Sequence, residues 1–299
     1  MANTAPIVND QIREMDKKFL DIWDKNLTCN LDNNFFGPWF KYTNYVNVWG
    51  PKMRDKPWVL IAAGPSLDKN ISMLKEVRDD VYVLCVDVII FKLILEKMHP
   101  DLVVNIDPAD VTRFWEGWNG KNEPDACLVA PVTTHPNNLM AWKGKRYLFN
   151  PVDYYYKDKY LALKAMTKEC KEFGNIVNAG FVGATMLQIV KDVRPTKGVF
   201  LLGWDFAFTD NKVYCQGFLD RRYPIDDGSL HNAEFDKKDS CINGIWTTQA
   251  LMIYMRTSMD ILKRWNIHVT NCTEGGLLNE TEWIKTEKFK DAITKALTK

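Results

Sequence analysis

The chain has 299 residues, room for one large α/β domain with additions or for two small domains, and its 46% hydrophobic content supports a sizeable core. A net charge of +1 sets up no global field toward nucleic acid or an anionic membrane. That excludes obligate polyanion binding as the organising property, though not a local basic groove.

Seven cysteines (Cys29, Cys85, Cys127, Cys170, Cys215, Cys241 and Cys272) form no CxxC pair. An odd, scattered set fits reduced thiols better than a disulfide framework or a zinc site. The first residues, MANTAPIVNDQ, lack the charged-then-apolar layout of a signal peptide. The most apolar run, 81–95, is broken by Asp87 and Lys92 and is too short to span a bilayer. The expectation is a cytoplasmic protein.

In chain order, Ile12, Met15, Phe19, Ile22 and Trp23 fall at helical spacing and predict an amphipathic helix over 8–27. An irregular, aromatic-rich connector follows over 30–57, with Phe35–Phe40 as its most apolar part. From Trp58 strands and helices alternate. Strands are expected at 59–62, 81–86, 102–106, 127–130, 146–150, 199–202 and 268–271. Helices are expected at 69–77, after Asp87 through Lys97, at 179–193, 246–265 and 285–299. Residues 154–156 sit in a charged, aromatic segment that reads as a lid or as loop packing, and 207–243 as a long polar loop.

Such alternation implies a Rossmann-like α/β fold: a mainly parallel sheet with helices on both faces, plus an N-terminal helical and aromatic extension. The corresponding division is 1–54 for the extension, 55–280 for a nucleotide-binding catalytic domain and 281–299 for a terminal helix.

In such sheets ligands bind beyond the carboxyl ends of the strands. Four groups fall there: Gly64-Pro65-Ser66, Asp87, Asp107-Pro108, and Gly203 to Phe206 with Asp205. Gly64 permits close approach of a ligand to the backbone, Pro65 fixes the turn, and Ser66 stands at a helix N-cap where open N–H groups would receive an anion. The spacing is neither GxGxxG nor a Walker A loop, so standard dinucleotide or P-loop chemistry is not indicated.

The segments AAGPSLDKNI, VLCVD, VVNIDP, LLGWDFAFTD and VTNCTEGG follow in order the pattern of the MptE-like family. That family was formerly a domain of unknown function and forms the centre of motility-associated-factor glycosyltransferases. The chain is more distantly similar to the sialyltransferases of glycosyltransferase family 42, and the resemblance covers about 55–280. It implies a cytidine-nucleotide site built from Gly64, Pro65, Ser66, Asp87, Asp107, Ala179, Gly180, Gly203, Asp205 and Phe206. Asp87 and Asp107 stand where the sialyltransferases carry Asn, which opens a place for a metal ion. Asp87, Asp107 and Asp205 are the candidate magnesium ligands. Ala207 replaces a phosphate-binding Tyr, with Tyr214 near the position of a second one.

The resemblance also implies a general-base histidine in the loop after the GxDF strand, and His231 is the only His there. An imidazole titrating near neutrality suits removal of a proton from an attacking hydroxyl. Asp226, Asp227 and Glu234 flank it in sequence.

The leading expectation is therefore a transferase moving sugar from a nucleotide-sugar donor, with CMP-linked sugars as candidates, to a hydroxyl acceptor. Asp205 and His231 are its catalytic candidates. The alternatives are a 6-hydroxymethylpterin diphosphokinase-like diphosphate transfer from ATP and a non-catalytic nucleotide-binding module. The acceptor is left open among glycan, small molecule, protein and nucleic acid, the last not indicated by net charge.

Overall fold

The computed structural model describes residues 10–32, 41–115, 126–153, 170–210, 212–217 and 240–298. Helix α1 (Asp10–Asp32) opens the described chain. A continuous helical run over 42–53, here α2, follows. It contains a π-helical turn at Tyr45–Trp49.

The alternating part comprises β1 (Trp58–Ile61), α3 (Leu67–Glu76), β2 (Tyr82–Val86), α4 (Ile90–Leu95), β3 (Leu102–Val104), β4 (Cys127–Pro131), α5 (Pro136–Ala141), β5 (Lys145–Asp153) and β6 (Asn175–Asn178). After these come α6 (Val182–Val193), β7 (Val199–Leu202), a hairpin of β8 (Ser240–Ile242) and β9 (Ile245–Thr247), α7 (Gln249–Trp265), β10 (Val269–Asn271), β11 (Ile284–Thr286) and α8 (Phe289–Leu297).

Nine strands form one sheet in the order β11-β10-β7-β1-β2-β3-β4-β5-β6, and every neighbouring pair is parallel. The α/β expectation is met. Parallel strands covered on both faces read as unbroken apolar runs, and β1, β2, β3, β4 and β7 are buried at every residue. From β1 the chain steps outward strand by strand to β6. Helix α6 then carries it back across the sheet to β7, on the other side of β1. The order reverses between β1 and β7, so the switch point lies at the ends of those two strands.

Right-handed crossovers place α3 on one face and α6 with α7 on the other. Helix α6 packs against α7, β2, β3 and β6, and nine of its residues are buried. Its Gln188 also closes the β6 edge: Val177 N–H donates to Gln188 Oε1, and Gln188 Nε2 donates to the Asn175 carbonyl. A side-chain amide thus stands in for a tenth strand.

The structure adds five elements to those expected. The connector over 30–57, expected to be irregular, holds the helical run α2, because Tyr42 and Tyr45 bury against Phe149 and Tyr147 of β5. The short helix α5 starts at His135-Pro136, where His135 accepts from Asn137 N–H and Pro136 sets the first helical position. β6 is four residues long, enters from Gly174 at φ +89° and carries Asn at both ends, so it lacks a strand-like apolar run. The hairpin β8–β9 starts inside the expected long loop and takes Trp246 out of the following helix. Residues 284–286 form the ninth strand of the sheet, and the terminal helix begins only at Phe289. The Phe35–Phe40 and 154–156 segments lie outside the described residues.

Candidate functional site

Three sequence segments meet on one buried carboxylate. Asp205, 1% exposed, ends the turn after β7. Ser66 Oγ donates to its Oδ1 at 2.7 Å, and the Ser66 N–H to its Oδ2 at 3.2 Å. Thr209 Oγ1 also donates to Oδ2, at 2.5 Å. The backbone closes around the same group: Gly64 N–H donates to the Gly203 carbonyl and Leu277 N–H to the Asp205 carbonyl.

No side chain fits at the surrounding glycines. A Cβ on Gly64 would stand 2.0 Å from Asp205 Oδ1 and 2.5 Å from the Gly203 carbonyl oxygen; one on Gly276, at φ +75°, would stand 2.0 Å from the Asp205 carbonyl oxygen. Thr273 Oγ1 accepts from Trp204 N–H, which fastens the TEGG turn to the same place.

Here the reading of Ser66 changes. The anion at the start of α3 is Asp205 itself, and the next three N–H groups turn back onto Gly64, Pro65 and Ser66 carbonyls. The space beside Gly64, expected to admit a ligand, is likewise occupied by protein, so Gly64→Val would break this knot. Burial pushes the Asp205 carboxyl above the usual carboxylate range, while the Thr209 and Ser66 hydrogen bonds pull it back.

Across the switch point, Asp87 ends β2 and is 3% exposed. Its Oδ1 accepts from Val88 N–H at 2.8 Å, and its Oδ2 from Asn105 Nδ2 at 2.6 Å. Thr134 Oγ1 donates to Asn105 Oδ1, and Asn138 Nδ2 donates to Thr134 Oγ1 and to the Ala109 carbonyl. This relay runs outward from the strand ends to the loop that holds Asp107. Asp107 is half-buried, and one of its oxygens accepts from Ala109 N–H.

Helix α1 roofs the same loops. Asn26 Nδ2 donates to the Pro108 and Thr133 carbonyls, and Asn30 Nδ2 to those of Val132 and Thr134. Spacing i,i+4 puts both amides on one helix face.

The third wall is the entry to α6. Ala179 is buried and Gly180 has φ +81°. Phe181 is the N-cap and supplies no side-chain hydrogen bond, and the N–H groups of Val182 and Gly183 have no partner among the described residues. A Cβ on Gly183 would stand 3.0 Å from the Trp204 ring, so this helix start abuts the turn after β7. Phe206 holds φ +51°, with Thr247 Oγ1 donating to its carbonyl and its ring edge-on to Trp204.

Tyr214 is half-buried against the core, in a segment pinned beside the Gly64 loop. Cys215 N–H donates to the Ala63 carbonyl there. The ion pair Asp68–Lys92, at 2.7 Å, grips the backbone of one residue at both of its polar groups: Gln216 N–H donates to Asp68, and Lys92 Nζ to the Gln216 carbonyl. Burial pushes the Cys215 thiol up to about 12, so it is no nucleophile at neutral pH. His231, Asp226, Asp227 and Glu234 lie outside the described residues.

The carboxylates differ in what they could offer a metal ion. Asp205 gives both oxygens to Ser66 and Thr209, and Asp87 gives both to Val88 and Asn105. Among the described residues no three His, Cys, Asp or Glu side chains cluster as a metal site. Asp107 remains the candidate with an unengaged oxygen. A magnesium ion at this edge would take most of its oxygens from substrate phosphates and water.

Sequence reasoning missed Asn26, Asn30, Asn105, Thr134, Asn138, Thr209, Asp68 and Lys92. Two carried a signal: Asn105, an amide inside the apolar run VVNID, and Lys92, a charge inside the apolar run 81–95.

The family model described as 6-hydroxymethylpterin diphosphokinase MptE-like matches residues 25–211. An uncharacterized protein of Treponema pallidum (strain Nichols) is 25% identical over 202 residues, covering 64% of this chain and 32% of that protein. Among solved structures, a Maf glycosyltransferase from Magnetospirillum magneticum AMB-1 shares the fold, with a TM-score of 0.52, 14% identity and coverage of 88% of this chain and 42% of that one. The chain thus spans less than half the length of either relative. The match begins within α1, beside Asn26, and ends just past Thr209, so it takes in Ser66, Asp205 and Thr209 of the knot but not the TEGG turn that closes it. The chain belongs to the MptE-like family.

Proposed function

We propose that this chain is a glycosyltransferase that takes a nucleotide-sugar donor at the carboxyl edge of its sheet. The observation that carries the reading is convergence at the switch point: the uncapped start of α6, the half-buried Asp107 and the strained Phe206 surround the ends of β1, β2, β3 and β7. The fold shared with a Maf glycosyltransferase supports it.

In this reading the Asp205 knot holds the loops rigid. Asp107 binds ribose or base, and Ala179-Gly180 leads the donor phosphate to the Val182 and Gly183 N–H groups. Those dipoles, with Tyr214, stabilise the charge that develops on the departing phosphate. His231 removes the acceptor proton. The fit of the α6 start to an anion is electrostatic, so it serves CMP-linked and diphosphate-linked donors alike.

The family's description favours a second reading, diphosphate transfer from ATP. That chemistry leans on carboxylates free for magnesium, and in two of the three candidates both oxygens already accept hydrogen bonds from protein.

The test is incubation with CMP-, UDP- and GDP-sugars and with ATP, with and without EDTA, followed by mass spectrometry. Sugar transfer or slow donor hydrolysis that survives EDTA is the expected result, and His231→Ala should lower kcat by about 10²–10⁴-fold with little change in donor affinity. AMP release from ATP with a strict magnesium requirement, and no turnover of nucleotide-sugars, would overturn it.

A further inference from the structure

Opposite the candidate site, at the amino ends of the strands, lies a cluster of cations that the neutral net charge conceals. Lys143 and Lys145 are at the start of β5. Lys52 is in the last turn of α2, Arg54 and Lys56 follow it, and Arg194 and Lys197 lie between α6 and β7. All seven are exposed, and none lies within ion-pair distance of a carboxylate among the described residues, where Lys41, Lys69, Arg78, Lys92 and Arg264 each have one.

The cluster is contiguous. Lys145 Nζ stands 3.9 Å from the Trp49 ring centre and Lys52 Nζ stands 4.9 Å from the same ring. Arg54 Nε donates to the Arg194 carbonyl, and the Arg54 carbonyl accepts from Thr196, next to Lys197. Two carboxylates lie in or beside the row: Asp55 accepts from the Thr196 hydroxyl, and Asp192, near enough to Arg194 to feel its charge, accepts from the Tyr42 hydroxyl. Asp79 and Asp80 are exposed to one side, beyond Lys56, whose Nζ donates to the Asp79 carbonyl.

Apolar surface rises through the middle of the row. The π-helical turn at Tyr45–Trp49 leaves Val48 52% exposed, and Pro51 is exposed beside it. Trp49 lies half-buried between the two ammonium groups. An indole flanked by lysines, with an exposed aliphatic side chain next to it in the chain, matches a lipid headgroup boundary: cations meet lipid phosphates while the apolar groups enter the acyl margin. A nucleic-acid backbone would use the cations, but it gives exposed Val48 nothing to enter.

We infer that this face is a peripheral docking surface for an anionic phospholipid bilayer, which would leave the crevice at the other end of the sheet facing away from the membrane. Cytoplasmic-leaflet phosphates attract juxtaposed Lys and Arg, and each such charge changes partition roughly fivefold.

The experiment is co-sedimentation of the full chain with phosphatidylglycerol-rich vesicles, phosphatidylcholine vesicles and, separately, titration with duplex DNA. Binding is expected to the anionic vesicles only and to weaken as salt is raised. Lys52→Gln, Arg54→Gln, Lys145→Gln and Lys197→Gln should each lower partition about fivefold. Val48→Asp should lower it further, and Lys290→Glu on α8 should leave it unchanged. Because every site is exposed, circular dichroism melts should match wild type, and the single Gln variants read the effect even if a combined variant fails to fold. Equal binding to both vesicle types, no vesicle binding, loss with Lys290→Glu as large as with Lys52→Gln, or tighter binding to DNA than to anionic vesicles would overturn the inference.

Discussion

Asp205 and Asp87 end strands that flank β1 on either side, and their surroundings divide the site into two kinds of chemistry. Asp205 is met by donors from the β1 loop and from its own loop, then sealed by Gly64, Gly203 and Gly276. Asp87 takes a side-chain donor from the next strand, Asn105, and passes its order outward through Thr134 and Asn138 to the Asp107 loop. One carboxylate closes a knot; the other starts a relay that reaches the surface. A motif shared by several loops can therefore record a packing constraint, and the groups left for a ligand are those the knot does not consume.

The largest expected effects test the closed side. Gly64→Val or Gly276→Val should abolish folding or cost at least about 3 kcal/mol, because the new atoms meet backbone or a buried carboxylate that cannot retreat. Asp205→Ala leaves the Ser66 N–H and the Ser66 and Thr209 hydroxyls without an acceptor, for a loss of about 3–5 kcal/mol by urea denaturation. Retention of wild-type stability in Asp205→Ala would break the contrast between the two regions.

On the relay side, Asn105→Asp would set two carboxyl groups together at 2.6 Å in a buried site. One must then stay protonated, so stability should fall by about 2–4 kcal/mol at neutral pH and recover toward acid, the reverse of ordinary acid denaturation. Asp107→Ala should leave the melting temperature nearly unchanged and weaken nucleotide binding about tenfold, measured by calorimetry. Asn26→Ala removes two hydrogen bonds from α1, with an expected cost of about 1 kcal/mol.

The smallest effect is a pH slope. With the folded-state pKa of Asp205 raised above its unfolded value, the native state binds more protons in the window just above the ordinary carboxylate range. Stability from this group is then present at low pH and lost as pH rises through that window. Asp205→Asn should flatten the slope in pH-dependent melts; an unchanged slope would assign it to Asp192, whose carboxyl burial also raises.

Much of the fold is legible in the sequence because parallel strands buried on both faces must be unbroken apolar runs, as WVLI, YVLCV and VFLL are. What escapes is short or polar: β6 is Asn-Ile-Val-Asn, and β11 is Ile-Lys-Thr at the opposite edge. At the site, the topological rule finds Asp87, Asp107 and Asp205 as strand-end residues but carries no information about their partners. Ser66 and Asp205 are 139 residues apart, and Asn30 lies more than 100 residues from the carbonyls it holds. Long-range pairing leaves no periodicity, so an acid that closes a knot and an acid that faces a ligand look alike.

The division of labour across the switch point is tested most directly by hydrogen exchange with and without a saturating nucleotide, read peptide by peptide. The account predicts new protection at Ala179–Gly183 and around Asp107, and none at Thr273–Gly276, where the turn is already packed on Asp205. Protection confined to Thr273–Gly276 and the Gly64 loop, with Ala179–Gly183 unchanged, would contradict it.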